Sequence, residues 1–209
     1  SLGGPGLRTR VVMISGPGGS GKTSMVKAVS ELLGEFAFMA ANEESEAAMA
    51  GRCIITDHFP MRTPCARPRQ FHIRLEHLLD AVDVPLVVAE PPGLQGETCA
   101  PILNPLFVFG KEKYSLGNLV LTIGPDGVET LRHNEAVSQK NRDLVREADV
   151  VVITHSDTVE ARGRDAIREL VRSLNDTCEI VFFSAVDSEG AGAVTKVILE
   201  GEYSRPLIG

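Results

Sequence analysis

The fold is decided by residues 10–34, which read RVVMISGPGGSGKTSMVKAVSELLG. Residues 10–15 form a mostly apolar run typical of a buried strand, and the apolar residues after position 24 recur with the period of a helix that Gly34 ends. Between these segments, residues 16–23 fill every fixed position of the phosphate loop Gly-x-x-x-x-Gly-Lys-Ser/Thr. A strand, a phosphate loop and a helix in this order predict a P-loop nucleotide-binding fold.

The rest of the chain alternates short β-branched runs with amphipathic helical segments, the pattern of parallel strands joined by crossover helices. We therefore predict an α/β fold, a three-layer P-loop NTPase with a mostly parallel, doubly wound sheet flanked by helices. The two longest irregular stretches, residues 51–69 and 91–117, are expected to be functional loops. The predicted strands are residues 10–15, 36–41, 86–90, 118–123, 150–154 and 179–184.

Composition narrows the class of protein. The chain has 209 residues, 43% of them hydrophobic, and we expect a disordered or tag-derived leader at 1–9 and a single P-loop GTPase domain at 10–209. A net charge of −7 argues against a nucleic-acid or anionic-membrane partner. The four cysteines lack the paired spacing of a secreted disulfide framework, and no apolar run reaches membrane-spanning length, so a cytoplasmic location is expected.

The residue types of the phosphate loop follow from the chemistry of phosphate and Mg²⁺ binding. Its glycines let backbone N–H groups surround phosphate oxygens, Lys22 supplies positive charge to the β- and γ-phosphates, and the Thr23 hydroxyl reaches Mg²⁺. The N-terminus of the following helix adds the positive end of its dipole. The predicted phosphate-binding residues are Gly16, Pro17, Gly18, Gly19, Ser20, Gly21, Lys22, Thr23 and Ser24.

Magnesium needs further oxygen ligands, because a lysine and a threonine do not complete its octahedral shell. Glu90 ends an apolar run and is the stronger candidate, and Gly93 is placed to offer its N–H group to the γ-phosphate. Glu43 follows another predicted strand and could reach the same ion, although either acid could also be a solvated strand-end carboxylate. The predicted catalytic residues are Lys22, Glu90 and Gly93, and the predicted Mg²⁺ ligands are Thr23, Glu43 and Glu90.

Base recognition departs from the usual guanine motif, Asn-Lys-x-Asp after a late strand. Asp157 retains the carboxylate that accepts from guanine N1–H and N2–H, whereas Thr154 and His155 replace the Asn and Lys. His155 could stack on the base, and adenine would leave the Asp157 acceptors unsatisfied, which favours GTP. Ser184 and Ala185 follow the last predicted strand, where they either contact the base through the backbone or form a plain turn.

These motifs, spread over residues 10–199, resemble the GTPase metal-centre accessory family of UreG, HypB and CobW-like proteins, a SIMIBI-class group of P-loop NTPases. Residues 16–23 resemble its phosphate loop, Asn42-Glu43 its second-strand Asn-Asp, residues 90–93 its Glu-x-x-Gly, and residues 154–157 its Asn-Lys-x-Asp. The resemblance implies GTP or GDP and Mg²⁺ as ligands, slow GTP hydrolysis, Mg²⁺ contacts from Glu43 and Glu90, and a client metalloprotein or accessory protein as partner.

The family also carries a cysteine motif for a transition metal between its second strand and Glu-x-x-Gly. Cys65 stands at this place, but the neighbouring His or second Cys is absent, and Cys53, His58 and His72 are the nearest alternatives. Thiolate and imidazole suit Zn²⁺, Ni²⁺ or Co²⁺, and a homodimer could complete four ligands. Alternatively, Cys65 is an ordinary loop residue and Cys53 a buried structural one.

A basic cluster supports a different hypothesis. Arginines at 62, 67, 69 and 74 could form the phosphate-clamping lid of a small-molecule kinase, or simply a solvated charged face. A third hypothesis is a nucleotide-gated interaction module that binds nucleotide but hardly hydrolyses it. Structural roles are expected for His77, His133, Cys99 and Cys178.

Overall fold

The computed structural model describes residues 8–58, 68–90, 99–110, 112–133 and 135–204, with the backbone alone at 55–58 and 68. Across these ranges seven strands form one parallel sheet, in the spatial order β3-β2-β4-β1-β5-β6-β7. After β4 the chain crosses to the other side of β1 and adds the last three strands, so the sheet is doubly wound. The strands are β1 (Thr9–Ser15), β2 (Ala37–Ala40), β3 (Ile55–His58), β4 (Leu86–Ala89), β5 (Tyr114–Ile123), β6 (Val150–Ile153) and β7 (Glu179–Phe182).

Helices cover both faces of the sheet. One face packs against α1, α2 and α8, with Met25, Met49 and Val194 among their buried residues. The other packs against α3 and α4 at one end and α5, α6 and α7 at the other. The helices are α1 (Lys22–Leu33), α2 (Glu43–Met49), α3 (Pro68–Ala81), α4 (Ala100–Phe109), α5 (Pro125–Thr130), α6 (Ala136–Glu147), α7 (Ala161–Leu174) and α8 (Ala191–Leu199). None of the helices in the described part of the chain is long and apolar enough to cross a bilayer.

The structure confirms the predicted fold class and all six predicted strands, and it corrects the two predicted loops. The stretch 51–69 contains β3, whose sequence Ile-Thr-Asp-His lacks a continuous apolar run. Among the described residues β3 is an edge strand that pairs with β2. The stretch 91–117 contains α4 and the first residues of β5. Two prolines in α4, Pro101 at its start and Pro105 inside it, conceal this helix in the sequence.

The sheet topology positions the site. The carboxyl ends of β1, β4, β5 and β6 meet at one edge of the sheet, because all strands are parallel. The phosphate loop leaves β1 at the point where the strand order reverses, the usual ligand-binding crevice of an open α/β sheet. Residues that directly follow β4 and β6, Glu90 and Thr154, are therefore brought towards the loop.

Candidate nucleotide site

The phosphate loop connects β1 to α1 and depends on glycine. Gly16, Gly19 and Gly21 have φ angles of 149°, 74° and 89°. At Gly16 an added Cβ would lie 2.4 Å from the carbonyl oxygen of Thr122, so the loop packs directly on β5. No side chain in the described ranges caps the N-terminus of α1, which leaves its first N–H groups available to an anion.

Lys22, the first residue of α1, lies across the mouth of this loop. Its Nζ donates hydrogen bonds to the carbonyl oxygens of Gly16, at 2.8 Å, and Pro17, at 3.1 Å. Burial lowers the pKa of Lys22, and the nearby Glu90 and Cys99 act in the opposite direction. The ammonium group is therefore held where phosphate oxygens would meet it.

Thr23 and Glu90 form an oxygen-rich cluster beside the loop. The Thr23 hydroxyl donates to Oε1 of Glu90 at 2.8 Å and lies 3.1 Å from the Ser45 hydroxyl. Glu90 is only 1% exposed, and its Oε2 has no hydrogen-bond partner among the described residues. Burial raises the pKa of Glu90, opposed by the hydrogen bond from Thr23 and by the charge of Lys22. A cation bound at this cluster would offset the energetic cost of burying the charged carboxylate.

Ser45 is a site residue that the sequence analysis missed. It lies in the first turn of α2, where the Asn42 side chain caps the helix by accepting from the Ser45 N–H at 2.9 Å. The predicted ligand Glu43 is the first residue of α2, and its side chain is exposed. The signal that could have found Ser45 was the Asn cap before a short acidic helix, which turns the third helical residue back towards α1.

The motif after β6 reaches the phosphate loop through its first residue. The Thr154 hydroxyl donates to the Ser20 carbonyl oxygen at 2.7 Å, and the His155 Nδ1 lies 3.2 Å from that hydroxyl. His155 has a left-handed φ of 55°, and its ring lies beside Gly21. Asp157 follows in a short 3-10 helix, Ser156–Thr158, with its side chain exposed. The structure thus brings two of the predicted base-site residues, Thr154 and His155, to the phosphate loop.

A second hydroxyl contact fixes the same loop from β5. The Ser20 hydroxyl lies 2.7 Å from that of Thr122, whose Oγ1 also donates to the Ser15 carbonyl oxygen at 3.2 Å. Sequence reasoning missed Thr122 because nothing in the local pattern of β5 distinguishes it from other strand residues. Together with Thr154, it anchors the loop to two neighbouring strands.

The loop after β7 lies beside the 3-10 helix. The Ser156 N–H donates to the Phe183 carbonyl oxygen at 3.1 Å. Ser184 is buried and its hydroxyl accepts from the Val186 N–H at 3.1 Å, whereas Ala185 is exposed. The residues predicted to contact the base are thus on adjoining loops.

Of the predicted transition-metal residues, the structure describes the side chains of Cys53 and His72 alone. Cys65 and Gly93 lie outside the described residues. Cys53 is half-buried, its thiol lies 3.7 Å from the Met49 carbonyl oxygen, and burial raises its pKa. His72 on α3 lies 3.4 Å from Glu76. Within the described ranges no group of three or more His, Cys, Asp or Glu side chains is placed to hold a metal ion.

The basic cluster is only partly described. Arg69 and Arg74 lie on α3, the first exposed and the second half-buried, and positions 62 and 67 lie outside the described residues. Of the residues expected to be structural, Cys99 and Cys178 are buried. His77 and His133 are exposed.

Comparison with known proteins decides the family. Residues 10–182 match the family model for the CobW/HypB/UreG nucleotide-binding domain. The chain belongs to this family. The CobW/HypB/UreG assignment covers the phosphate loop, the Glu90 cluster and the motif after β6 in one nucleotide-binding domain. No curated protein sequence matches the chain.

Solved structures agree with the family in fold. The hydrogenase maturation factor HypB from Archaeoglobus fulgidus has a TM-score of 0.63 and 18% identity, covering 90% of this chain and 87% of that one. HypB from Helicobacter pylori, in complex with nickel, has a TM-score of 0.62 and 13% identity, covering 90% and 84%. The Zn(II)-bound YjiA GTPase from E. coli has a TM-score of 0.59 and 14% identity, covering 84% and 57%. At these identities the likeness shows the fold.

Proposed function

We propose that this protein is a Mg²⁺-dependent GTP-binding and GTP-hydrolysing protein of the metallochaperone type. Its nucleotide state would control delivery of a metal ion or maturation of a metalloenzyme or cofactor. The observation that carries the proposal is the buried Glu90 carboxylate, which is hydrogen-bonded to Thr23 at 2.8 Å and near enough to the phosphate-loop Lys22 to feel its charge. A buried acid beside the hydroxyl and the lysine of a phosphate loop is the arrangement that a magnesium nucleotide requires.

The donor set fits magnesium. Thr23 and Ser45 contribute hydroxyl oxygens and Glu90 a carboxylate, and Mg²⁺ prefers hard oxygen ligands completed by water and phosphate. Thr23 and Glu90 would hold the ion, with Ser45 beside them and Glu43 as a further candidate from the exposed start of α2. When bound, Mg²⁺ neutralises charge on the β- and γ-phosphate oxygens.

Lys22 and the loop backbone would bind the phosphates. The Lys22 ammonium exchanges its hydrogen bonds to the Gly16 and Pro17 carbonyls for bonds to phosphate oxygens, which are charged and therefore stronger acceptors. N–H groups of the loop and of the first turn of α1, from Gly18 to Ser24, surround the same oxygens. Gly93 would donate its N–H to the γ-phosphate.

Hydrolysis in this site would be positional and electrostatic. A water attacks the γ-phosphorus, the bond to the bridging oxygen of GDP breaks, and the proton of the water leaves with inorganic phosphate. Lys22 stabilises the charge that develops, and Glu90 orients the water bound near it. We expect turnover below about one per second without a partner, because the site residues that the structure describes include neither an arginine finger nor a water-orienting glutamine.

Guanine would be selected at the motif after β6. Asp157 accepts from guanine N1–H and N2–H, and the His155 ring covers the base from the side of Gly21. Ser184 and Ala185 border the same space through the loop after β7. An adenine in this place would leave the Asp157 carboxylate without its two donors, a loss that costs on the order of 1–3 kcal/mol.

Metal delivery extends the proposal beyond the nucleotide. Among the solved structures similar in fold, HypB from Helicobacter pylori is in complex with nickel and YjiA is Zn(II)-bound. We propose Cys65, with Cys53, as ligands for Ni²⁺, Zn²⁺ or Co²⁺, completed across a homodimer. The partner would be a client metalloprotein or accessory protein in the cytoplasm, with no role for nucleic acid or membrane.

Calorimetric titration with GTP, GDP and ATP, each with and without Mg²⁺, tests the nucleotide part. The wild-type chain should bind GTP and GDP more tightly than ATP, with Mg²⁺ strengthening GTP binding, and Lys22→Ala should weaken all three. Thr195→Ala serves as the control and should leave binding unchanged, because the hydroxyl that it removes bonds to the Ala191 carbonyl oxygen within α8. Tighter binding of ATP, or binding that Lys22→Ala leaves intact, contradicts the proposal.

Titration with Ni²⁺, Zn²⁺ and Co²⁺ tests the metal part. Cys65→Ala should weaken binding of at least one of these ions, whereas Cys178→Ala, at a buried thiol far along the chain, should not. Unchanged metal affinity in Cys65→Ala would remove the delivery role. Transfer of phosphate from nucleotide to a small acceptor, indifferent to these ions, would instead support the small-molecule kinase hypothesis.

A further inference from the structure

An ion pair outside the predicted site fastens the loops that border the base. Glu189 precedes α8 and Arg164 lies in the first turns of α7. Both terminal guanidinium nitrogens of Arg164 reach the carboxylate: Nη1 pairs with Oε1, and Nη2 donates to Oε2 at 2.9 Å. Such a two-point pair fixes the relative orientation of the two side chains.

The pair acts on Ser156, the residue between His155 and Asp157. The Ser156 hydroxyl donates to Oε2 of Glu189 at 2.6 Å, and its carbonyl oxygen accepts from Nη2 of Arg164 at 2.9 Å. Ser156 has no solvent exposure. With its N–H bonded to the loop after β7, as described above, the residue beside Asp157 is held at its amide, its carbonyl and its side chain.

Glu189 is itself fixed by its own loop. Its carbonyl oxygen accepts from the Ser184 N–H at 3.1 Å, and its N–H donates to Oδ1 of Asp187 at 3.0 Å. The next residue, Gly190, has a φ of 74° and a Cβ there would lie 2.0 Å from the Phe182 carbonyl oxygen, so the backbone has little freedom to shift. The carboxylate is therefore presented to Ser156 from a rigid support.

The Arg164 side is also braced. Its guanidinium lies over the Phe182 ring, 5.1 Å from the centroid, and its Nε donates to the Val159 carbonyl oxygen at 3.2 Å. The Glu189 side chain is 34% exposed and that of Arg164 24%, and ion pairs this accessible to water contribute little to global stability. The consequence of the pair is local: it sets the position of the 3-10 helix that carries Asp157.

We propose that Glu189 is a positioning residue for base selection, which holds Ser156 so that the neighbouring Asp157 carboxylate meets the Watson–Crick edge of guanine. The inference rests on the proposed GTP-binding function and adds a specificity determinant to it. Glu189 touches neither phosphate nor base in this account, so its loss should alter discrimination between bases while leaving phosphate binding in place.

The test compares the affinities of GDP and ADP for the wild-type chain and Glu189→Gln. The variant keeps the shape of the side chain but loses its charge and one acceptor. We expect GDP affinity to fall about tenfold, equivalent to about 1.4 kcal/mol, with ADP affinity unchanged. Glu129→Gln is the matched control, because it makes the same Glu-to-Gln change in an exposed ion pair, that of Glu129 on α5 with Arg132.

Each outcome has a distinct meaning. A wild-type chain without preference for GDP over ADP overturns the proposed function, and this inference with it. A wild-type preference that Glu189→Gln leaves intact overturns this inference alone. Equal weakening of GDP and ADP shows a merely structural role and also overturns it. If Glu189→Gln does not fold, Ser156→Ala, which removes only the hydroxyl contact, should still narrow the GDP-to-ADP preference, and an unchanged preference refutes the proposal.

Discussion

Replacing Gly16 with alanine should destabilise the chain more than the same change at Gly19 or Gly21. The new Cβ would lie 2.4 Å from the Thr122 carbonyl oxygen and 2.6 Å from the hydroxyl oxygens of Ser20 and Thr122. The carbonyl belongs to β5 at the centre of the sheet and cannot rotate away. The φ of 149° at Gly16 is also a conformation that residues with a Cβ rarely adopt.

The magnitude follows from these two effects. Backbone strain at such a φ costs about 1–3 kcal/mol, and forcing a methyl group into packed structure costs another ~1–3 kcal/mol. The expected loss in the free energy of unfolding for Gly16→Ala is therefore about 2–6 kcal/mol. Gly19→Ala is the matched control: its φ is 74°, and no described atom lies within 4 Å of the added Cβ. This variant should lose only the left-handed backbone cost, about 1–2 kcal/mol.

Urea unfolding of the wild-type chain and both variants measures the difference directly. Gly16→Ala should unfold at a clearly lower urea concentration than Gly19→Ala, with similar slopes for all three chains. Equal losses in the two variants, or a loss below about 1 kcal/mol for Gly16→Ala, would refute the close packing of the loop on β5. The anchoring of the phosphate loop by Ser20 and Thr122 would then have to be abandoned.

Three further predictions concern titration, magnesium and the base. Burial raises the pKa of Glu147 to about 7 from an ordinary 4.5. Between these two pH values the folded chain therefore keeps a proton on Glu147 that the unfolded chain has lost. The free energy of unfolding should then fall by up to about 3 kcal/mol as pH rises from about 4.5 to above 7, and urea titrations at pH 5 and pH 8 should show this fall reduced in Glu147→Gln. Glu90→Gln should weaken the Mg²⁺ dependence of GTP binding about tenfold, measured by calorimetry, because it removes a charged ligand. Asp157→Asn should lower affinity for GTP and raise it for XTP, measured by competition, because its amide can donate to the carbonyl that xanthine carries in place of the guanine amino group.

Each of these has a contradicting result. An unchanged pH dependence in Glu147→Gln would show that this carboxylate, which accepts from the N–H groups of Cys99 and Ala100 at 2.7 and 3.1 Å, titrates normally. If Mg²⁺ strengthens GTP binding to the same degree in Glu90→Gln, Glu90 is not a ligand of the ion. If Asp157→Asn leaves the affinities for GTP and XTP unchanged, the base does not bind at Asp157.

Most of the fold can be predicted from local sequence patterns. Central strands such as β1, β4 and β6 are buried on both faces, so their continuous apolar runs are visible in the sequence. The edge strand β3 and the proline-containing α4 are not, because one has a single neighbour among the described strands and the other carries residues that usually interrupt helices.

The site divides in the same way. The position of the phosphate loop was predictable because its residues are consecutive, and the position of Glu90 because it directly follows an apolar strand. Ser45, Thr122 and Glu189 were not, because each acts through a contact with a residue 22, 102 or 33 positions away, and no spacing rule encodes such contacts. Thr154 is intermediate: the motif after β6 was recognised, but its hydrogen bond to the phosphate loop required the structure.

Phosphate release from GTP and from ATP by the full chain in the presence of Mg²⁺, with Lys22→Ala measured in parallel, tests most directly whether this protein is a GTPase. We predict slow release from GTP, below about one turnover per second, still slower release from ATP, and loss of both in Lys22→Ala. Release that is faster from ATP, or that survives in Lys22→Ala, would contradict a magnesium-dependent GTPase built on this phosphate loop.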